Sequence, residues 1–320
     1  GRYSLWGPYW KALYPDYYSW MPDDWVLWGT WGGVGNLEID DDLDNQFTEG
    51  LMIGFEREIM PNLGGSISYV YKRDRNQIGQ IAPDVTWDEE NVDISTENGS
   101  YSGVVYNNVQ YGSRRIYTNP EKGMPGMLDD LYRSYWALVF EINKRMSDRW
   151  SLKASYTYSR NTGTQANSWS SAQGFGVFNN PNNFINVNED SRIGIDRPHI
   201  LKASGTYIAP FDIYISPVVT YYSGVPWAKW ASYGTVSFNT EVRDGSRRLE
   251  NQFNVDLRVE KAFMLMDGRY RLGFIVDAFN VFNDDTLTGY RSTEITGGNY
   301  LVPSSIVNAR FIQVGVRLIF

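Results

Sequence analysis

The sequence predicts an all-β chain whose strands form an antiparallel up-and-down barrel crossing a membrane, and three observations carry that prediction. First, the closing stretch RFIQVGVRLIF sets Ile312, Val314, Val316, Leu318 and Phe320 on one face and Gln313, Gly315 and Arg317 on the other. A period of two in a strand turns an apolar row toward lipid or core and a polar row toward water. Second, runs of this kind come in pairs, joined alternately by very short turns and by long polar excursions, the asymmetry found in transmembrane barrels. Third, 16% of the 320 residues are aromatic, with 23 Tyr and 12 Trp. Rings with one apolar and one wet end suit the interfacial girdles of a barrel better than a soluble core.

Taken in order, residues 1–46 hold WGPYWKALYPDYYSWMPDDWVLWGTWGG and then Asp40, Asp41, Asp42 and Asp44. No period is sustained there, so an extracellular loop rich in aromatic and acidic residues is expected. Its rings serve to pack on one another first and to grip a ligand second. The acidic run could offer oxygen ligands to Ca²⁺ but lacks the spacing and Gly of an EF-hand loop, so a solvated turn is the expectation. From residue 47 to 320 the strands follow. Residues 47–59 and 63–76 pair across Met60-Pro61-Asn62, with Ile67, Tyr69 and Tyr71 alternating against Ser66, Ser68 and Lys72. Residues 132–145 and 150–162 pair across Met146-Ser147-Asp148, and Trp150, Leu152, Ala154, Tyr156 and Tyr158 alternate with Ser and Lys. Residues 199–209 and 213–224 pair across Pro210-Phe211-Asp212, and 251–265 and 269–282 across Met266-Asp267-Gly268. The long loops are 77–131, with short strands of its own near 104–117, and 163–196, 225–250 and 283–305.

Counting back from Phe320 gives nine strands, and single-chain bacterial barrels have even numbers. An open edge in lipid would leave backbone groups unsatisfied at several kcal/mol each. The expectation is therefore that Gly1 is not a natural start and that further strands come from upstream or from another chain. The alternative, a tenth strand over 25–35 closing a small barrel, fits poorly because its Trp and Gly residues follow no alternation.

Composition excludes several classes. No run approaches the roughly 18–20 apolar residues of a membrane helix. Without Cys there are no disulfides, thiolate metal sites or Cys nucleophiles, and a net charge of −8 argues against nucleic acid. The single His199 follows Arg197-Pro198, with no nucleophile elbow for a triad, and is expected to cap a strand at the outer rim. The acidic groups Asp88-Glu89-Glu90 and Asp284-Asp285 lie in loops, and the WGGVG stretch lacks the strand–turn–helix setting of a phosphate loop. No enzyme, cofactor or metal is expected.

Several stretches in order, among them IDDDLDNQFTEGLMIGFEREIMPNLGGSISYVYKRDRN, YRSYWALVFEINKRMSDRWSLKASYTYSRNTG, DRPHILKASGTYIAP, YYSGVPW, NVDLRVEKAF, DAFNVFN and the closing strand, resemble the C-terminal barrel of TonB-dependent outer-membrane receptors. The likeness covers about residues 36–320 and is to the Oar-like branch, which carries a carboxypeptidase-regulatory-like N-terminal domain. It implies a bacterial outer-membrane barrel of ~22 strands with long loops outside, plugged by an N-terminal domain and energised through TonB. The matched stretches hold neither plug nor TonB box, so these are expected upstream or in a separate chain.

On that resemblance the chain transports or receives a bulky glycan, peptide or siderophore-like substrate. A non-transporting scaffold or adhesion barrel contacting a surface protein through its aromatic loops, or a small passive porin, are the alternatives. Implied partners are outer-membrane lipid and lipopolysaccharide, the barrel-assembly machinery, which reads the Ile312–Phe320 alternation, the missing strands and plug, and TonB. Candidate substrate contacts are the loop rings Trp25, Trp28, Trp31, Trp169, Trp227 and Trp230. Lys153, Asp256, Arg258, Glu260, Arg271 and Asp277 are expected to line the lumen, first as ion pairs satisfying one another and second as substrate contacts.

Overall fold

The computed structural model describes residues 37–110, 114–164, 178–265 and 270–319. Nine long strands dominate it: β1 (Phe47–Met60), β2 (Leu63–Arg75), β3 (Arg133–Ser147), β4 (Trp150–Gly163), β5 (His199–Ala209), β6 (Ile213–Tyr222), β7 (Gln252–Leu265), β8 (Tyr270–Phe279) and β9 (Phe311–Ile319). They form one sheet in which each strand pairs antiparallel with its neighbours in sequence, from β1 at one edge to β9 at the other. This is an up-and-down meander, the topology that the paired runs predict.

The register turns alternation within strands into two continuous faces. Asn143, Lys153, Ser204, Val218 and Asp256 stand side by side across five strands on the polar face. One residue away, Ile53, Tyr69, Leu138, Tyr158 and His199 form a row on the apolar face, as do Val259, Val276 and Val314. A one-residue slip would exchange the faces wholesale, so the pattern pins the register. Large apolar side chains stay open on this face, among them Phe55, Phe140, Phe263, Val276 and Val314. In water such a surface would be an aggregation liability; in hydrocarbon it is the favourable one.

Charges with apolar-face parity sit toward strand ends. Glu49 pairs with Arg75 at 3.1 Å near the long loops. At the turn end Lys144 bends its ammonium over the Trp150 ring, 4.2 Å from the centroid, and donates to the Ser147 and Trp150 carbonyls at 3.0 and 3.2 Å. A long basic side chain can thereby keep its stem in an apolar layer and its head at the boundary.

The turns follow from their residues. Between β3 and β4, Asp148 and Arg149 both have positive φ, 50° and 69°, the handedness that matches strand twist in a two-residue hairpin. Between β5 and β6, Pro210 leads into a tight turn in which Phe211 and Asp212 both have positive φ, 65° and 55°. The turn expected at 266–268 lies outside the described residues. Two strands end earlier than expected. Strand β6 stops at Tyr222, and Gly224 then runs so close to the Leu249 carbonyl that a Cβ there would lie 1.7 Å from its oxygen. Strand β8 stops at Phe279 because Asn280 turns to φ 50° and its amide bonds the Asp284 and Asn308 carbonyls at 2.8 Å.

The long loops fold together. Thr86–Thr96 and Gly99–Gln110 form a hairpin, as do Trp230–Tyr233 with Val236–Asn239 and Leu287–Tyr290 with Pro303–Ile306. Leu37–Ile39 runs parallel to Arg115–Thr118, which also pairs with Gly79–Ile81. Val92 and Val105 from one loop, Ala231, Val236 and Phe238 from another and Ile295 from a third close a shared core, with Ile185 from the fourth against it. The loops thus make a cap with an interior of its own.

Candidate functional site

Asparagine fixes the cap. In the run Asn179-Asn180-Pro181-Asn182-Asn183-Phe184, Pro181–Phe184 form a 3₁₀ turn capped by Asn180. The fully buried Asn182 side chain accepts from the Tyr106 N–H at 2.9 Å and donates to its carbonyl at 2.7 Å. Asn179 does the same to Ala82, at 2.9 and 2.7 Å, and also donates to the Pro125 carbonyl. Each amide replaces a strand neighbour for backbone that would otherwise be buried unpaired. A second tie is ionic. Asp196, with its side chain wholly buried, meets Arg248 at 2.6 Å and accepts from the Asn161 N–H at 2.7 Å, while Arg248 also donates to the Asp196 and Gly224 carbonyls at 3.0 Å. Burial lowers the pKa of neighbouring Arg243 from the ordinary arginine value, and its Nε donates to the Arg192 carbonyl.

The polar face below the cap carries a charge ladder. Arg258 donates two bonds to Asp277, 2.7 and 2.9 Å, a bidentate geometry that fixes both groups. Glu260 pairs with Arg317 one strand further on. Arg271 lies over the Tyr214 ring at 5.9 Å. Lys153 faces a recess at the turn end that also holds Glu56, Glu58, Glu141 and Arg145. Asp256 accepts from the Asn254 side chain and from the Asn280 N–H, both at 2.9 Å. All six charged residues picked from the sequence therefore share one face, as ion pairs and as separate anchored charges.

The sequence-picked rings are placed differently. Trp227 stands edge-on to Tyr290, 5.6 Å between centroids, beneath the Arg247 guanidinium at 5.4 Å. Trp230 begins a cap hairpin, and its carbonyl accepts from the Ile295 N–H at 2.8 Å. Both are partly buried components of the cap. Trp25, Trp28, Trp31, Trp169 and Phe320 lie outside the described residues. The remaining closing-strand residues Ile312, Val314, Val316 and Leu318 stand 54–71% exposed on the apolar face of β9. His199 begins β5, where Nδ1 meets the Tyr156 hydroxyl at 2.8 Å and the ring lies near Tyr156 and Tyr158. It is a residue flanked by tyrosine rings with a hydrogen-bonded partner. Asp40, candidate cation ligand, instead accepts from Thr118 Oγ1 at 2.6 Å and from the Asp42 N–H at 3.2 Å.

Sequence reasoning missed a group where the polar face meets the cap. Tyr222, Gln252, Asn254, Asp256, Phe279 and Phe311 line a recess of about 270 Å³ there. The alternation Gln252, Asn254, Asp256 was visible, but its convergence with Phe279 and Phe311 depends on pairing across three strands.

A sequence family described as an outer membrane beta barrel domain matches residues 31–213, more than half of the chain. The chain belongs to this family. Among curated proteins it is similar to the TonB-dependent transporter Oar of Myxococcus xanthus, 25% identical over 271 residues, which cover 79% of this chain and 22% of the relative. Among solved structures it resembles the outer membrane transporter YddB of Escherichia coli, with a TM-score of 0.52 at 12% identity, covering 89% of this chain and 34% of that one. The chain therefore spans well under two-thirds of these relatives. Family and fold together place it in the bacterial outer membrane as an antiparallel β-barrel segment related to TonB-dependent transporters.

Proposed function

We propose that this chain is the C-terminal part of a TonB-dependent outer-membrane transporter barrel of ~22 strands, whose plug and remaining strands lie elsewhere. Its loops face outside, take up a bulky substrate, and hand it to the polar face, which lines the lumen. The observation that supports this most is the nine-strand meander with one apolar and one charged face, on a chain that spans 22% of Oar. The anchored charges of that face bind and orient; the activity is passage, not catalysis. The test is peptide mapping of the native polypeptide purified from outer membranes, with pull-down by the periplasmic domain of TonB. A plug upstream or in a co-purifying chain, with TonB retained, is the expected result. A plugless pore that conducts ions in a planar bilayer would overturn it.

A second reading has one observation in its favour. Trp227 packs edge-on against Tyr290 in a cap with its own core, so the cap could present a preformed surface to a partner protein. A surface protein that stays seated on the cap, without TonB binding, selects this scaffold reading.

A further inference from the structure

We infer that the recess under the cap is a subsite for a neutral sugar ring, a deepening that rests on the transporter reading. Phe279 and Phe311 stack with centroids 4.4 Å apart and planes within 15°. The pair lies on the polar side of the sheet, with Phe311 on the edge strand β9. An aromatic face on an otherwise polar wall is matched by a ligand with one C–H-rich side, such as a pyranose. Around it, the side-chain amides of Gln252 and Asn308 and the Tyr222 hydroxyl have no hydrogen-bond partner among the described residues. Each can donate and accept at once, as a sugar hydroxyl also does.

Charge narrows the ligand class. Among the described residues the lining contains no Lys or Arg, which disfavours phosphate, sulfate and ferric-chelate anions. Its two carboxylates are already engaged. Asp284 closes on Thr286 Oγ1 at 2.7 Å through both oxygens, and Asp256 Oδ1 holds the Asn254 side chain and the Asn280 N–H. What remains is the second Asp256 oxygen, an acceptor for a hydroxyl rather than a bare acidic pocket for an amine. Arg197 and Lys202 lie over the Tyr222 ring, at 5.4 and 5.9 Å, and do not line the recess. At about 270 Å³ the recess is smaller than the ~300–1,000 Å³ of drug-sized sites, the scale of a single ring of a longer chain held by the loops.

The test uses the complete native outer-membrane protein on an array of neutral oligosaccharides, with oligolysine and a phosphorylated sugar as competing chemistries. Binding to at least one neutral glycan is expected, weakened about tenfold or more by Phe311→Ala and by Asn308→Ala, with oligolysine and the phosphosugar unbound. Asn308 is exposed, so its variant reports on the site even if Phe311→Ala assembles poorly. In parallel, Asp256→Cys on intact cells is probed with a membrane-impermeant maleimide. Labelling without glycan binding, glycan binding that both variants leave unchanged, or oligolysine binding lost in Asp256→Asn overturns the sugar subsite and leaves the transporter reading standing. No labelling from outside overturns both.

Discussion

Moving one charge by one residue is the sharpest perturbation the register offers. Leu257 stands near the middle of β7, beside Pro217 on one side and Ala278 on the other, in an apolar row. Leu257→Arg sends a guanidinium into hydrocarbon, at ~2–4 kcal/mol near the bilayer midplane. That is roughly a 30- to 700-fold loss in the folded-to-unfolded ratio. The neighbour Arg258 faces the other way, with a side chain 54% exposed and a bidentate bond to Asp277, which is 12% exposed. Arg258→Leu alone strands that carboxylate, so the fair comparison removes both charges. Arg258→Leu with Asp277→Leu should change stability by less than about 1 kcal/mol, since replacing a paired charge couple by apolar residues is often neutral. Reversible urea unfolding in lipid vesicles, read by tryptophan fluorescence and heat-modifiable gel mobility, measures both variants. Equal destabilisation of the two, or a larger loss in the double variant, would refute the register.

Asn182→Ala strands the Tyr106 N–H and carbonyl, and at ~1–3 kcal/mol per buried unpaired group should open the cap while sparing the barrel; faster protease cleavage within 77–131 at unchanged barrel melting is expected, and no change in cleavage contradicts it. Gly224→Ala should block assembly, because the new Cβ meets the Leu249 carbonyl oxygen at 1.7 Å, whereas Gly298→Ala, with open space around it, should assemble normally; outer-membrane yield compares the two. Glu38 is held below the usual carboxylate range by its bond to Arg114, and Asp40 by Thr118 and then the Asp42 N–H. Their depressed folded values mean the stabilisation is complete above the ordinary carboxylate pKa, about 4, and is lost as pH falls through the folded values. Spin labels at Asp41→Cys and Glu121→Cys should therefore keep one sharp distance between pH 5 and 8 and broaden below about pH 4; broadening near neutrality would contradict the assignment.

What was legible in the sequence was whatever has a period. Alternation such as Trp150, Leu152, Ala154 against Ser151, Lys153, Ser155 depends only on neighbours two residues apart, so strands, faces and short turns could be read directly. The six polar-face charges were legible for the same reason. The cap was not: Val92, Val105, Phe238 and Ile295 come from loops far apart in the chain and follow no period. Its strongest local signal, the Asn179–Phe184 run, looks like ordinary loop composition until the amides are seen holding Ala82 and Tyr106. The ring chemistry of Trp227 and Trp230 is visible in the sequence, whereas their partial burial in the cap is not. Pro217 sits within the central strand β6, where it cannot donate to the ladder. The ladder with β5 is interrupted between Ser204–Val218 and Tyr207–Ile215, and the hydroxyls of Thr206 and Ser216 meet at 2.8 Å across the gap.

The central claim is that one face of this sheet meets lipid and the other meets water, and the absence of any native cysteine makes it directly measurable. Single cysteines placed in turn from residue 253 to 260 along β7, spin-labelled in outer-membrane vesicles, report exposure to dissolved oxygen, which concentrates in lipid, and to a water-soluble nickel chelate. The account predicts strict alternation, with positions 253, 255, 257 and 259 favouring oxygen and 254, 256, 258 and 260 favouring nickel. A reversed phase, or uniform nickel access at all eight positions, would contradict it.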